Sequence, residues 1–221
     1  MTKHQLTIVI PSREQEKQIL FLERAIASVK CQTIAEQFVF TFVVGVDKGK
    51  LLDKDTCTRL GIVCVESGQN SQAAALNAAI RVVKTEFVAF LEDDDQWMPS
   101  FLTFAMKAVA IADFVSSTQA EYDESDELLR INDYPTPSGW FMPLSTLRRV
   151  GEFNESFRFH LDAEWLGRIA DAKLKRLHMV ESTAPHRAEI HQRRETDIGL
   201  SDKFFGGTMP ASTTPIALPA R

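Results

Sequence analysis

The stretch Phe87-Val88-Ala89-Phe90-Leu91-Glu92-Asp93-Asp94-Asp95-Gln96-Trp97 joins a short apolar run to four consecutive carboxylates. An apolar run of this length, bounded by charge, predicts a strand that is buried on both faces. Adjacent carboxylates repel one another and raise each other's pKa unless a cation or hydrogen-bond donors compensate them. Mg²⁺ and Mn²⁺ take oxygen ligands, and Mg²⁺ commonly combines one or two carboxylates with phosphate oxygens. The stretch therefore predicts a metal site that holds a phosphorylated ligand.

The same four acids have a simpler interpretation. A helix is predicted to begin near Met98 and Pro99, and negative charge is favourable at the N-terminus of a helix. In that case the acids would cap the helix and bind no metal. The stretch taken alone leaves both interpretations open.

The flanking sequence alternates strand patterns with helix patterns, which predicts an α/β fold. Such alternation implies a mostly parallel twisted sheet with helices on both faces. We expect one domain, because 221 residues suffice for one substantial core. The first half is predicted to contain strands at residues 6–10, 38–46, 62–65, 87–91 and 114–117, and helices at residues 16–32, 51–60, 71–83 and 99–112.

After residue 117 the pattern changes to a smaller mixed or antiparallel portion. A hairpin is predicted around the acidic turn at residues 123–126, and a loop at residues 133–139. Residues 206–221 are rich in Gly, Pro, Ser and Thr and are predicted to form a flexible tail. The domain before the tail is predicted to comprise residues 1–205, with one half at residues 1–117 and the other at residues 118–205. The later elements are a hairpin at residues 119–122 and 127–131, a short strand at 140–142, helices at 143–150 and 162–172, and a strand at 174–180.

Composition narrows the functional class. The chain is 44% hydrophobic and 25% charged, with no apolar run long enough to span a bilayer and no signal-peptide pattern, so we expect a cytoplasmic protein. A net charge of −5 argues against a nucleic-acid partner. The three cysteines, Cys31, Cys57 and Cys64, form no CxxC pair and predict neither disulfides nor a zinc site.

Several common catalytic motifs are missing. Residues 45–50 contain Gly and Lys, but their spacing does not match a phosphate-binding P-loop. No strand is followed by GxGxxG, and the chain contains neither HExxH nor GxSxG. The sequence therefore lacks the usual motifs of a Rossmann-type nucleotide site, a zinc protease and a serine hydrolase.

Polar residues follow each of the first, second, third and central strands. Ligands of open α/β sheets bind beyond the carboxyl ends of the strands. We therefore predict one nucleotide pocket that is lined by Pro11, Ser12, Asp47, Asn70 and Asp93.

Taken together, these segments resemble the family 2 glycosyltransferases of the GT-A fold, over about residues 6–194. The first half carries an opening strand and loop, a first helix, the stretch ahead of the metal motif, and the acidic motif with its trailing tryptophan. The second half carries the turn before the acceptor site and an acidic helix start. The matching segments are residues 7–12, 25–33, 70–79, 90–97, 150–155 and 162–168.

The resemblance implies an inverting, metal-dependent glycosyltransferase of the GT-A fold. The donor would be a nucleotide-diphosphate sugar, with a UDP sugar favoured, and the acceptor a hydroxyl of a saccharide or lipid-linked glycan. Mg²⁺ or Mn²⁺ would be held by Asp94 and Asp95, while Glu92 replaces the usual first aspartate. The donor contacts implied are Pro11, Ser12, Glu14, Asp47, Asn70, Asn77 and Asp93, although Arg13 and Glu14 depart from the usual residues of the base pocket.

The resemblance also assigns Asp162 as the catalytic base. If Asp162 takes no part, Glu164, two residues along, becomes the next candidate. The simpler interpretation is that Asp162 is the N-cap of the helix that follows, with Arg168 an ordinary surface or ion-pair residue. A late histidine completes the metal shell in related enzymes, and His191 is the candidate here. His191 belongs to a basic cluster suited to a diphosphate or simply to solvent, formed by His186, Arg187, His191, Arg193 and Arg194.

Two other functions stay open at this point. A nucleotidyltransferase would also combine an α/β sheet with a metal-binding acid pair, but it would carry a glycine-rich basic loop after the first strand, and residues 11–15 contain no glycine. A catalytically silent domain that binds a nucleotide or sugar would lack metal-dependent donor hydrolysis.

Overall fold

The computed structural model describes residues 2–12, 16–122 and 127–180. Nine strands and six helices follow one another within these ranges. The strands are β1 His4–Ser12, β2 Phe38–Val46, β3 Ile62–Glu66, β4 Phe87–Phe90, β5 Phe114–Ser117, β6 Gln119–Tyr122, β7 Leu128–Asn132, β8 Phe141–Pro143 and β9 Arg176–Met179. The helices are α1 Glu16–Lys30, α2 Lys54–Leu60, α3 Gln72–Arg81, α4 Phe101–Val109, α5 Leu144–Val150 and α6 Leu161–Asp171.

Seven strands form one sheet in the order β3-β2-β1-β4-β8-β5-β9. Pairing is parallel except along β8, which runs antiparallel to both β4 and β5. The remaining strands, β6 and β7, form a separate antiparallel hairpin. The predicted α/β class, with a mostly parallel sheet and a smaller antiparallel portion, is confirmed.

Alternate residues of β1 enter two different cores. Leu6, Ile8 and Ile10 pack with residues of α1, α2 and α4, whereas Val9 packs with residues of α3, α5 and α6. Successive side chains of a strand point to opposite faces, so apolar residues on both faces require cover on both. The helices therefore lie on both faces of the sheet, as predicted.

Local capping explains where two helices begin. α2 begins at Lys54, later than predicted, because the Asp53 carboxylate caps it and accepts a hydrogen bond from Thr56 N at 2.8 Å. α3 begins after Ser71, whose hydroxyl accepts a hydrogen bond from Ala74 N at 3.2 Å. Ser71 and the residues before it therefore form the connection between the carboxyl end of β3 and the start of α3.

The acidic stretch does not cap the helix that follows it. α4 begins at Phe101, its N-cap Ser100 makes no side-chain capping bond, and its first turn contains no acidic residue. The capping interpretation of the four acids is therefore wrong. Their charge has to be compensated elsewhere.

Some features predicted from the sequence involve residues that the structure does not describe. Glu14, the basic cluster with His191, the acidic hairpin turn and the tail lie outside the described residues. Within the described ranges, none of the helices combines the length and the apolar character that crossing a bilayer requires.

Gly45 lets α3 approach the sheet. A Cβ at this position would lie 2.0 Å from the carbonyl oxygen of Ala75. We expect Gly45→Ala to lower the free energy of unfolding by about 1–3 kcal/mol, the scale of overpacking in a core. As a control, Gly167→Ala in α6, where a Cβ meets no atom within 4 Å, should raise it by roughly 1 kcal/mol. Urea unfolding of both variants checks this, and an unchanged midpoint for Gly45→Ala would contradict it.

Candidate functional site at the carboxyl edge of the sheet

Three carboxylates meet just beyond the end of β4. One oxygen from each of Glu92, Asp94 and Asp95 lies within 4.8 Å of the others. Glu92 and Asp94 are half-buried, and Asp95 has no exposed surface. Oxygen-only donors at this separation match the preferences of hard divalent cations. The arrangement therefore fits the Mg²⁺ or Mn²⁺ site that the sequence predicts, with Glu92 among the available ligands.

Asp95 is the member that most requires compensation. Burial raises the pKa of the Asp95 carboxyl well above its usual range, the charges of Asp94 and Glu92 raise it further, and a hydrogen bond from Ser138 opposes the increase. Among the residues that the structure describes, Asp95 Oδ1 has no hydrogen-bond partner. A buried carboxylate oxygen without a donor is costly. A bound cation would remove that cost, which supports the fit of the residues to a metal.

Neighbouring side chains fix the acidic turn in place. Ser12 Oγ donates to Asp93 Oδ2 at 2.6 Å, and Gln72 Nε2 donates to Glu92. Ser138 Oγ donates to Asp95 Oδ2 and accepts from Glu92 N at 3.0 Å. Gln72 and Ser138 were missed by sequence reasoning, because polar residues in a helix start and in a loop carry no distinctive local pattern.

A cavity of about 460 Å³ is lined by residues that follow β2 and β3, by the start of α3 and by the loop before α6. Gln72 lines the cavity and also donates a hydrogen bond to Glu92, so this side chain links the cavity to the acidic turn. The volume lies within the range of small-molecule sites. Its lining residues are Asp47, Asn70, Ser71, Gln72, Glu155, Ser156 and Arg158.

The cavity contains two of the five residues predicted to line a nucleotide pocket, Asp47 and Asn70. Pro11, Ser12 and Asp93 lie at the same edge of the sheet but are buried, and they are not among its lining residues. Arg158 was not predicted. Its guanidinium carbon lies 5.4 Å from the centroid of the Phe159 ring. In the part of the chain that the structure describes, Arg158 forms no ion pair.

Asn77, predicted to contact the donor, instead faces the protein. It is buried, its amide nitrogen donates to Phe153 O and to Glu155 Oε1, both at 2.9 Å, and its oxygen accepts from Phe153 N at 2.7 Å. All of the hydrogen-bonding groups of this amide are therefore used. Asn77 therefore holds the loop that carries Glu155. The prediction that it contacts the donor directly is corrected, because its side chain is buried and bonded to that loop.

The same loop is held by further polar contacts from α3 and the residues before it. Arg81 bonds to both oxygens of Glu152, at 2.8 and 2.7 Å, and Gln69 Nε2 donates to Glu155 at 2.5 Å. Because this loop and the residues before α3 both line the cavity, these contacts hold two parts of its wall together.

Asp162 is the second residue of α6, whose N-cap position is occupied by His160. The N-cap interpretation of Asp162 is therefore wrong. Asp162 Oδ1 accepts a hydrogen bond from the neighbouring Ala163 N at 2.9 Å, and the side chain is half-buried. Partial burial raises the pKa of Tyr134 above its usual range, and the charge of Asp162 raises it further. A protonated phenol therefore lies within electrostatic reach of Asp162.

Glu164 and Arg168 form an ion pair one turn apart on α6. Arg168 Nε and Nη2 lie 2.8 and 3.0 Å from the two carboxylate oxygens, and the guanidinium also donates to Val150 O and Glu152 O at 2.7 Å. The ion-pair interpretation of Arg168 is confirmed. Both carboxylate oxygens of Glu164 are engaged by Arg168, so they are less available to an acceptor hydroxyl than the carboxylate of Asp162.

Comparisons with known proteins agree with this architecture. The model of the family described as Glycosyl transferase family 2 matches residues 7–169. S. aureus TarS 1–349 in complex with UDP-GlcNAc superposes with a TM-score of 0.65 at 15% identity, covering 87% of this chain and 59% of that one. The mannosyltransferase PcManGT from Pyrobaculum calidifontis, in complex with GDP-Man and Mn²⁺, superposes with a TM-score of 0.60 at 15% identity, covering 84% and 59%.

The solved structures thus show a shared fold, and this chain spans about three fifths of their length. The search of curated proteins found no match.

The unfavourable burial of Asp95 predicts a pH-dependent stability without metal. Because the folded pKa is raised, the stability that this group contributes is present below its ordinary pKa of 3.8 and is lost as the pH rises through the folded value. In EDTA, Asp95→Asn should keep or raise the melting temperature at neutral pH and flatten its dependence on pH. Asp94→Asn should have a smaller effect in the same direction, because it removes only one of the charges that raise the pKa of Asp95. A lower melting temperature for Asp95→Asn, with the pH dependence intact, would contradict this account.

Proposed function

This chain belongs to glycosyl transferase family 2, and from that premise we propose that it is an inverting, metal-dependent glycosyltransferase. It moves a sugar from a nucleotide-diphosphate donor to an acceptor hydroxyl. The observation that carries the proposal is that Gln72, which lines the cavity, donates a hydrogen bond to Glu92, a member of the carboxylate cluster with Asp94 and Asp95. A donor bound in this cavity would place its diphosphate next to oxygen ligands suited to a divalent cation.

The cavity provides groups for both ends of a nucleotide diphosphate. Asp47 and Asn70 offer a carboxylate and an amide, which suit the polar edge of a base, and Arg158 offers a guanidinium, which suits phosphate. TarS is described with UDP-GlcNAc and PcManGT with GDP-Man, which supports a nucleotide sugar as donor. We favour a UDP sugar, in keeping with the expectation from the sequence.

Asp94 and Asp95 are the proposed metal ligands, with Glu92 available as a third. When bound, Mg²⁺ or Mn²⁺ supplies a Lewis acid that offsets the charge on the departing diphosphate. The chain's own part is to hold these oxygens together and to bury Asp95 so that water does not compete for it. His191 stays a proposal as a further ligand.

Asp162 is the proposed base. It takes the proton of the acceptor hydroxyl as that oxygen forms a bond to the anomeric carbon and the bond to the diphosphate oxygen breaks. Tyr134, which lies within electrostatic reach of Asp162 and stays protonated, would supply a neutral hydrogen-bond donor to the acceptor. The acceptor is proposed to be a saccharide or lipid-linked glycan, and a cytoplasmic location remains an expectation from the sequence.

Nucleotide diphosphates with Mn²⁺ should raise the melting temperature of the chain, because a ligand that binds only the folded state stabilises it by mass action. UDP should produce a larger shift than GDP.

Arg158→Ala should weaken binding of the diphosphate by roughly 10- to 100-fold, the scale of a hydrogen bond to a charged group. Arg148→Ala, an exposed arginine of α5 that does not line the cavity, is the control. Equal shifts with UDP and uridine would contradict a role for Arg158 in binding phosphate.

Asp162→Asn separates an active transferase from a domain that only binds. Transfer should fall by about a hundredfold or more, the usual scale for losing general base catalysis, while donor and metal affinity stay near wild type. Transfer rate, Mn²⁺-dependent UDP affinity and melting temperature should be measured on the same protein. Asp171→Asn, at the exposed end of the same helix, is the control and should change none of them. Transfer at the wild-type rate would remove Asp162 from the mechanism.

A further inference from the structure

Ser138 contacts the acidic turn with both its side chain and its backbone. It lies in a 3-10 turn, Pro137–Gly139, immediately before β8, and it has no exposed surface. Its hydroxyl accepts a hydrogen bond from Glu92 N at 3.0 Å and donates one to Asp95 Oδ2. Its carbonyl oxygen accepts a hydrogen bond from Trp97 Nε1 at 2.7 Å. The two parts of the residue therefore have separate partners.

The hydroxyl determines which oxygen of Asp95 is available. With Oδ2 engaged by Ser138, Oδ1 is the oxygen that lacks a partner among the described residues. The bond to Glu92 N fixes the backbone at the start of the same turn. One hydroxyl thus orients a buried carboxylate and anchors the segment that carries the two other members of the cluster.

The turn that carries Ser138 is itself fixed against β5. A Cβ on the next residue, Gly139, would lie 2.5 Å from Ser117 Oγ and 3.0 Å from Ser117 O, so only glycine permits this close approach. Side chains that hold metal ligands are effective when their own positions are constrained. Ser138 meets that condition.

We infer that Ser138 is a positioning residue for the metal site, acting through Asp95 and through the backbone of Glu92. The inference rests on the proposed function, because it assumes that the acidic cluster holds a divalent cation. It concerns the hydroxyl alone, since the carbonyl that bonds to Trp97 is present whatever the side chain.

The test is Mn²⁺ binding by the full chain, followed by electron paramagnetic resonance with and without UDP. Ser138→Ala removes the hydroxyl and keeps the carbonyl, and it should weaken Mn²⁺ binding by roughly 10- to 100-fold, the range for residues that hold metal ligands. Metal-free affinity for UDP should not change. Ser138→Cys, with a weaker donor of similar size, should give an intermediate loss and provides a second variant if Ser138→Ala does not fold.

Two buried or half-buried serines provide matched controls. Ser28 Oγ accepts a hydrogen bond from Trp97 N at 3.0 Å, so Ser28→Ala loosens the end of the same stretch without touching a carboxylate. Ser117 Oγ has no hydrogen-bond partner within the described part of the chain, so Ser117→Ala removes a buried hydroxyl beside the turn. Both variants should bind Mn²⁺ as wild type does.

The outcomes separate this inference from the proposed function. Wild-type Mn²⁺ affinity in folded Ser138→Ala would overturn the inference and leave the metal site intact. An equal loss in Ser28→Ala would also overturn it, because the effect would then be general loosening. Failure of the wild-type chain to bind Mn²⁺, with or without UDP, would overturn the metal site and the inference together.

Discussion

A carboxylate that is fully buried at the end of a central strand has to be compensated, and Asp95 is such a group. One of its oxygens accepts a hydrogen bond from Ser138, and the other has no partner among the residues that the structure describes. The neighbouring acids are held in the same way, Asp93 by Ser12 and Glu92 by Gln72. These donors come from β1, from α3 and from the turn before β8. The site is therefore a meeting point of segments that are distant in the chain.

The apolar core holds the loops around this meeting point. Each of the three tryptophans is buried, and each indole nitrogen donates to a backbone carbonyl: Trp97 to Ser138, Trp140 to Pro135 and Trp165 to Gly151. Trp140 and Trp165 stack with ring centroids 4.9 Å apart. Aromatic packing and site geometry are thus coupled, because the same side chains fill the core and fix the loops. Loops held in this way need little reorganisation when a ligand binds.

Most of the fold could be predicted from the sequence, since hydrophobic periodicity is a local property. The strands at Phe38–Val46 and Phe114–Ser117 were predicted to the residue, and the alternation of strands and helices predicted a parallel sheet covered on both faces. The carboxyl ends of parallel strands lie at one edge of the sheet, which predicted that Asp47 and Asn70 lie close together. Both residues line the same cavity. Helix bounds were less accurate, because caps such as Asp53 depend on a few local hydrogen bonds.

The sequence by itself determined the residue types of the site, four acids at the end of a buried strand, because charge next to an apolar run is visible along the chain. Only the tertiary structure decided how those acids are compensated. β8 pairs antiparallel with β4, so its start, and Ser138 with it, lies at the carboxyl edge, a pairing that no local pattern specifies. Likewise, only the structure showed that Asn77 faces a loop and that Glu164 is paired with Arg168. Each of these contacts depends on which distant segments pack together.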